Sequence, residues 1–441
     1  MKTGANGMLV EADFIVEDCL LVPMDGRGPI EGAVLAIKEG RVVFADRPGR
    51  TRFRAEERID GRGRAVLPGF INAHTHAPMT LLRGLAEDVP LEEWLREHIW
   101  PIEAKLRAEH IYWGSLLACL EMALTGTTCF CDMYFHEGQV AEAVLKSGLR
   151  AVLAPGIFDV ASPEQGEAML RDALRVFERY NGAGGGRIKV MLGPHAPHTC
   201  SVELLERIAY EADKLRTGIH IHLAETGEEV EECRKRYGRG PVEFLDELGL
   251  LTSRTSAAHC VHLSERDIDL LARRGVSVIH CPVANAKLGV GVAKVPEMLE
   301  AGLVLGLGTD GPASNNALDM LETVKFACLL QKAARGDPTA LPARKALEMA
   351  TIGGARALGL GEQVGSLAPG KRADFIMLDL RRASTTPLHD VYAAIVYSAR
   401  SGAVENVFVN GEPVVVRGEP IRLEPDEVLG RVEHIVGELT G

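Results

Sequence analysis

Two histidines one residue apart, His74 and His76, close the apolar run Ala65-Val66-Leu67-Pro68-Gly69-Phe70-Ile71-Asn72-Ala73. The run reads as a short buried strand, and side chains at i and i+2 of a strand share a face. Both imidazoles therefore project together, and neutral imidazole is a ligand for zinc and related divalent metals. Three further candidates sit where apolar segments give way to polar or glycine-rich ones. His222 lies in Gly218–Glu225, His259 ends Ser256-Ala257-Ala258-His259, and Asp310 ends Leu303–Asp310. A parallel α/β barrel carries its catalytic groups at the C-terminal ends of its strands. The first strand would supply His74 and His76, a middle strand His222 and the last strand Asp310. Three imidazoles and a carboxylate, with a water, match a mononuclear catalytic metal site. The alternative is four buried, hydrogen-bonded core residues, which protein groups alone satisfy only at high cost.

Glu225 follows His222 by three residues, just past the strand end. A carboxyl group at the edge of a metal pocket could serve as a general acid or base. The alternative is a loop carboxylate at a helix N-terminus, since Glu228 and Glu229 follow. His259 would hydrogen-bond the attacking water or the developing charge, or else act as a further metal ligand. His220 shares a face with His222 one pleat deeper and reads as a packing residue.

Elements that could hold these groups are legible around them. Residues 12–60 read as short strands, Phe14-Ile15-Val16, Cys19–Val22, Ala33–Ile37 and Gly40–Phe44 among them, separated by Gly, Pro and charged turns. Between about residues 65 and 365, helical patterns alternate with apolar strands. They are Arg107–Leu124, Gln139–Lys146, Met169–Tyr180, Val202–Leu215, Pro241–Leu248 and Glu265–Arg273. Alternation of this length predicts a parallel sheet, and eight such units close a barrel. The strand style returns in Phe375–Leu378, Val407–Val409 and Pro413–Val416, the last two flanking the hairpin signal Asn410-Gly411. The predicted fold class is α/β, a (β/α)8 TIM-like barrel with a small β-sandwich domain formed by both chain ends. Residues 1–66 form the N-terminal part of the small domain, 67–365 the barrel, and 366–441 the C-terminal part and tail. Gly182–Gly186 reads as a flexible turn, since it lacks the Lys-Ser/Thr of a phosphate loop.

The 441 residues carry a net charge of −12, which argues against a nucleic-acid partner. No apolar run approaches a membrane span, and the N-terminus shows no basic segment followed by an apolar core. The nine cysteines are scattered, and Cys129, Cys131, Cys260 and Cys281 sit in apolar surroundings. They read as buried small hydrophobes in a protein of the reducing cytoplasm.

With the strand-end ligands in place, the pattern resembles the amidohydrolase superfamily. Pro68–His76 looks like its first metal-binding strand, and Gly365–Phe375 like its return into the small β domain. The methylthioadenosine/S-adenosylhomocysteine deaminase branch is similar in Ala77–Gly84, Trp100-Pro101-Ile102-Glu103, Gly193-Pro194-His195, His222–Glu225 and Gly308–Gly311. This resemblance implies one divalent metal, zinc first with iron or manganese as alternatives, held by His74, His76, His222 and Asp310. Glu225, His259 and Asp310 would be catalytic, and Glu103, His195 and Trp94 would bind substrate, with Glu103 accepting hydrogen bonds from ribose hydroxyls. The bland reading of Glu103 is a solvated helix-start carboxylate. Binuclear relatives bridge their metals with a carboxylated lysine at the end of the fourth strand. Here that end carries Gly193-Pro194-His195, and Lys189 sits at the strand's start. His280-Cys281-Pro282, with Asn285 and Lys287, looks like the family's seventh-strand loop and is read as structural.

The implied activity is hydrolytic deamination of adenine nucleosides: methylthioadenosine, 5′-deoxyadenosine, adenosine and, less favoured, S-adenosylhomocysteine. Some deaminases of this branch place arginines against the amino-acid carboxylate of S-adenosylhomocysteine. Those positions fall here at Pro155 and near Met169-Leu170, with Arg171 close by. Within the same fold the alternative is an aminohydrolase or chlorohydrolase of another purine, a pterin or an s-triazine. A non-catalytic scaffold, the third reading, conflicts with the intact ligand set beside Glu225. The partner is thus a small nucleoside or heterocyclic amine, not a nucleic acid or a membrane, and a homo-oligomer is compatible with the sequence.

Overall fold

The computed structural model describes residues 8–90 and 93–440. The expectation about a secretory segment falls in part on residues 1–7, which lie outside that range. Both chain ends build one nine-stranded sheet. Its strands are β1 (Leu9–Leu21), β2 (Ile30–Lys38), β3 (Arg41–Asp46), β4 (Arg52–Asp60) and β5 (Arg64–Pro68) from the first part. β16 (Phe375–Asp379), β17 (Val404–Val409), β18 (Glu412–Val416) and β19 (Glu419–Pro420) come from the last part. The order is β19-β18-β17-β16-β5-β1-β2-β3, with β4 alongside β1. Hydrogen bonding thus runs as one continuous sheet. The two segments read from sequence as separate strands, Phe14–Val16 and Cys19–Val22, belong to the single strand β1, whose register against β2 shifts between Val16 and Cys19. Asn410 and Gly411 have φ of 52° and 72° between β17 and β18. This two-residue, positive-φ link is the turn that Asn-Gly favours.

The middle of the chain supplies two four-stranded parallel sheets. One has the order β10-β8-β7-β6, from β6 (Phe70–Thr75), β7 (Thr127–Asp132), β8 (Arg150–Leu153) and β10 (Ile188–Val190). The other has the order β12-β13-β14-β15, from β12 (Ile219–Leu223), β13 (Thr255–His259), β14 (Ser277–His280) and β15 (Val304–Leu307). Two-residue strands β9 (Gly156–Ile157) and β11 (Gly193–Pro194) pair with each other, in parallel, just beyond β8 and β10. A parallel bridge Leu192–Ile219 joins the sheets on one side. On the other, the Asp310 amide donates to the His74 carbonyl at 3.0 Å, and the Asn72 amide group donates to Thr309 Oγ1 at 2.7 Å. Gly308 lies where this approach is tightest. A Cβ there would stand 2.8 Å from the His74 carbonyl oxygen, so only glycine lets the last strand meet the first.

Helices separate the strands: Ala108–Leu124, Glu137–Ser147, Pro163–Tyr180, Val202–Leu215, Gly227–Tyr237, Pro241–Glu247, Glu265–Arg274 and Met320–Arg335. Ser162, Ser201, Thr226, Ser264 and Asp319 cap five of them by accepting from backbone amides of the first turn. The terminal helix Pro425–Thr440 packs back on Ala108–Leu124, with Arg431 over the Trp113 ring at 5.7 Å.

The apolar run Ala65–Ala73, expected as one strand, is two. Gly69 divides it, so that β5 pairs with β16 in the nine-stranded sheet while β6 starts the first parallel sheet. A Cβ on Gly69 would lie 2.1 Å from the Thr128 side chain, so the bend requires glycine. Arg150, fully buried at the foot of β8, ties the two parts together. Its guanidinium donates to both carboxylate oxygens of Asp374 at 2.8 and 3.2 Å and to Asn410 Oδ1 at 2.6 Å. All nine cysteines are free and buried, as expected for Cys129, Cys131, Cys260 and Cys281. No helix among the described residues is long and apolar enough to cross a membrane.

Candidate active site

The ends of β6, β12 and β13 and the turn after β15 bring five of the expected residues into one buried cluster. His74 Nε2 lies 3.4 Å and His76 Nε2 3.3 Å from Asp310 Oδ1. His222 Nε2 lies 3.3 Å from His76 Nε2. Donor atoms of His74, His222 and His259 also lie within 4.8 Å of one another. Ligands held at 2.0–2.1 Å around a tetrahedral ion stand about 3.3 Å apart, which is the spacing found. His74 Nε2 is buried without a hydrogen-bond partner, and imidazole nitrogens facing each other at 3.3 Å need a cation or proton between them. The donor set therefore fits a divalent metal.

Each ligand is oriented from behind. His76 Nδ1 donates to the Met133 carbonyl at 2.5 Å, and His222 Nδ1 to the His195 carbonyl at 2.8 Å. Both bonds leave Nε2 toward the cluster. Ser314 Oγ donates to Asp310 Oδ2 at 2.6 Å, which leaves Oδ1 toward the imidazoles. His74 Nδ1 meets His220 Nε2 at 2.8 Å, and His220 Nδ1 meets Ser256 Oγ at 2.7 Å. The packing role expected for His220 is thus corrected: it is a hydrogen-bonded partner of His74, because the deeper pleat places its ring under the ligand. Asp310 and His259 adopt φ of 63° and 68°. Such left-handed non-glycine residues are uncommon and gather at functional sites.

Charge in the cluster follows burial and proximity. Burial holds His74 down at about 4 and His222 well below the usual imidazole range. Burial also acts against a charge on His76, but the Asp310 carboxylate, the Met133 carbonyl and the charge of Asp132 together outweigh it and lift His76 to about 9. Burial raises the Asp310 carboxyl, yet the His74 and His76 imidazoles hold it well below the carboxylate range.

Glu225 Oε1 lies 3.8 Å from His259 Nδ1. Burial pushes the Glu225 carboxyl up, against the pull of the His259 imidazole. His259 Nδ1 also lies 2.9 Å from Asn285 Oδ1, so Asn285, expected to be structural only, orients a site residue. His195 lies beside the ligands, its ring tilted by 56° and its centre 4.8 Å from that of His222. Thr199 Oγ1 donates to the Ala196 carbonyl and meets His195 Nδ1 at 3.0 Å. Burial holds this ring neutral, at about 3.

Glu103 accepts a hydrogen bond from the Tyr134 hydroxyl at 2.5 Å, and the Tyr134 ring centre is 6.3 Å from that of His76. Tyr134 was not legible as a site residue. Trp94 is buried, with Nε1 donating to the Leu85 carbonyl at 3.3 Å. It makes no hydrogen bond to the histidine cluster among the described residues. Lys189 is committed elsewhere, since its ammonium donates to the Leu358 carbonyl at 2.7 Å. Arg171 is exposed on its helix and pairs with Glu167 at 4.0 Å.

Known proteins share this architecture. Residues 65–414 match the amidohydrolase family model. A 5-methylthioadenosine/S-adenosylhomocysteine deaminase of Moorella thermoacetica is 47% identical over 95% of this chain and 98% of its own. A 5′-deoxyadenosine deaminase of Methanosarcina acetivorans is 44% identical over 97% of this chain and 98% of its own. The crystal structure of an adenosine deaminase from Xanthomonas campestris with bound zinc superposes with a TM-score of 0.94 at 36% identity, covering 97% of this chain and 99% of that one. The chain belongs to the amidohydrolase family.

Proposed function

We propose that this chain is a metal-dependent hydrolase that deaminates adenine nucleosides such as methylthioadenosine, 5′-deoxyadenosine and adenosine. The observation that carries the reading is the donor spacing, with Asp310 Oδ1 3.4 Å from His74 Nε2 and 3.3 Å from His76 Nε2, and His222 Nε2 3.3 Å from His76 Nε2, beside a half-buried Glu225. The names of the relatives support the substrate class. The eight parallel strands are read as one closed (β/α)8 barrel over residues 67–365, with 1–66 and 366–441 forming the small β domain. The residue set is read as holding one metal, zinc first, a count supported by Lys189 donating to the Leu358 carbonyl instead of facing the cluster. Nine buried free cysteines favour a reducing compartment, the cytoplasm.

A divalent cation on these four residues supplies Lewis acidity that brings the pKa of water toward neutrality. The chain's own groups do the rest. Asp310 accepts a proton from the attacking water through Oδ1, the oxygen that Ser314 leaves free. Glu225, whose carboxyl is pushed up by burial, gives a proton to N1 of the purine as the water oxygen bonds to C6. The C6–N bond then breaks as Asp310 passes its proton to the amine, the C6 hydroxyl proton goes to Glu225, and ammonia leaves. His259, held by Asn285, hydrogen-bonds the oxygen that gains charge. Glu103, with one oxygen occupied by Tyr134, presents the other to the ribose hydroxyls. His195 presents Nε2 to the substrate, and Trp94 lines the pocket. Chelator treatment should abolish ammonia release from methylthioadenosine, and one equivalent of zinc, iron or manganese should restore it. Full activity after complete metal removal would overturn the reading.

A further inference from the structure

Glu229 lies four residues beyond Glu225, in the first turn of the helix Gly227–Tyr237. It is buried, although a carboxylate at that position of a helix ordinarily faces water. Its side chain turns back along the chain. Oε1 accepts from the Ala224 amide at 3.1 Å, and Oε2 accepts from the Glu225 amide at 2.8 Å. Both carboxylate oxygens are thus spent on two consecutive amides, which gives a two-point grip on one peptide segment.

That segment is strained. Ala224 has a φ of 48°, a left-handed conformation that an alanine adopts only when its surroundings enforce it. The Ala224 carbonyl accepts from the Val261 and His262 amides at 3.0 and 2.9 Å. The Cys260 amide donates to the Leu223 carbonyl at 2.9 Å. The turn is therefore pinned on its carbonyl side to the chain just after His259, and on its amide side to Glu229. The Thr226 hydroxyl accepts from the Glu229 amide at 3.0 Å and fixes the base of the gripping side chain.

We propose that Glu229 is a positioning residue for the deamination: it holds the left-handed turn at Ala224 and so aims the Glu225 carboxyl at the purine N1 and at His259. This rests on the assignment of Glu225 as the proton donor. Glu229 touches neither substrate nor the metal ligands. His222 is oriented separately, through the His195 carbonyl. Loss of the grip should then cost catalysis without costing metal. Neither Gln nor Ala reproduces it. The amide of Gln keeps one acceptor and turns an NH2 toward the second N–H, while Ala removes both acceptors.

The test is a double-mutant cycle with the metal-loaded enzyme, using Glu225→Gln, Glu229→Ala and the pair. Glu229→Ala should lower kcat about 10- to 100-fold, the range for residues that orient a site group from behind. KM should change little and metal content should stay at one equivalent. Amide hydrogen exchange at Ala224 and Glu225 should speed up. Adding Glu229→Ala to Glu225→Gln should cost almost no further rate, because the aimed proton is already gone. Multiplying losses would show that Glu229 acts on overall structure, and would overturn the proposal. If Glu225→Gln itself keeps near-normal turnover, the proton-donor assignment fails first, and the cycle shows that separately. Should Glu229→Ala not fold, Glu229→Gln carries the same cycle, with a smaller loss in kcat and the same non-additivity expected.

Discussion

His74 Nδ1 sits 2.8 Å from His220 Nε2, deep in the strand layer beneath the donor cluster. A ligand imidazole is usually oriented by a carbonyl or carboxylate. Here a second imidazole does it, and Ser256 Oγ at 2.7 Å orients that one in turn. Burial holds His220 well below the usual imidazole range, so it stays neutral and can accept from His74.

Substituting His220 should therefore loosen the metal while leaving the chain folded. His220→Ala is expected to weaken metal affinity about 10- to 100-fold, and His220→Gln, which can still accept a hydrogen bond, should lose less. Competition with a chromogenic chelator measures both. Unchanged affinity in His220→Ala would return His220 to a packing role.

Glu225→Gln should keep the metal and the fold and lower kcat by roughly two to four decades, the range for removing a general acid–base. The amide cannot carry a proton to N1. Near-normal turnover with metal retained would assign the proton donor elsewhere.

Arg150 and Asp374 are both fully buried and pair across the junction between β8 and the nine-stranded sheet. Removing one partner leaves an uncompensated charge in the interior. Asp374→Ala is expected to destabilise the chain by about 3–5 kcal/mol in denaturant unfolding. A change below about 1 kcal/mol, within the range of surface pairs, would show that the site is more hydrated than its burial implies.

The clustering of these donors was legible in the sequence because strand-end histidines keep their i, i+2 spacing and because His222, Glu225 and Asp310 each follow an apolar run. Helix Val202–Leu215 was legible to the residue, since Ser201 caps it and apolar residues repeat along one face. Other features depend on partners that no local pattern reveals. His220 meets His74 only because β12 and β6 come together from 146 positions apart. Asn285 reaches His259 across 26 positions, and Tyr134 reaches Glu103 across 31. Ser314 acts through a turn whose form depends on Asp310 being left-handed. The division of Ala65–Ala73 was hidden because both halves are apolar and only the close approach of Thr128 to Gly69 separates them.

Selectivity at the 5′ end of the nucleoside follows from missing cations. Pro155 is buried and cannot pair with an anion, and Arg171 is exposed and engaged by Glu167. A substrate carboxylate would be desolvated without a partner, at a cost of about 1–3 kcal/mol. kcat/KM for methylthioadenosine should then exceed that for S-adenosylhomocysteine by about tenfold or more. The opposite preference would place Arg171, or another cation, against that carboxylate.

The most direct measurement is the product ratio when metal-loaded protein is incubated with methylthioadenosine. The account predicts one ammonia and one methylthioinosine for each nucleoside consumed, with no release by His222→Ala. No ammonia from methylthioadenosine, 5′-deoxyadenosine or adenosine, together with hydrolysis of a triazine or a guanine, would contradict it.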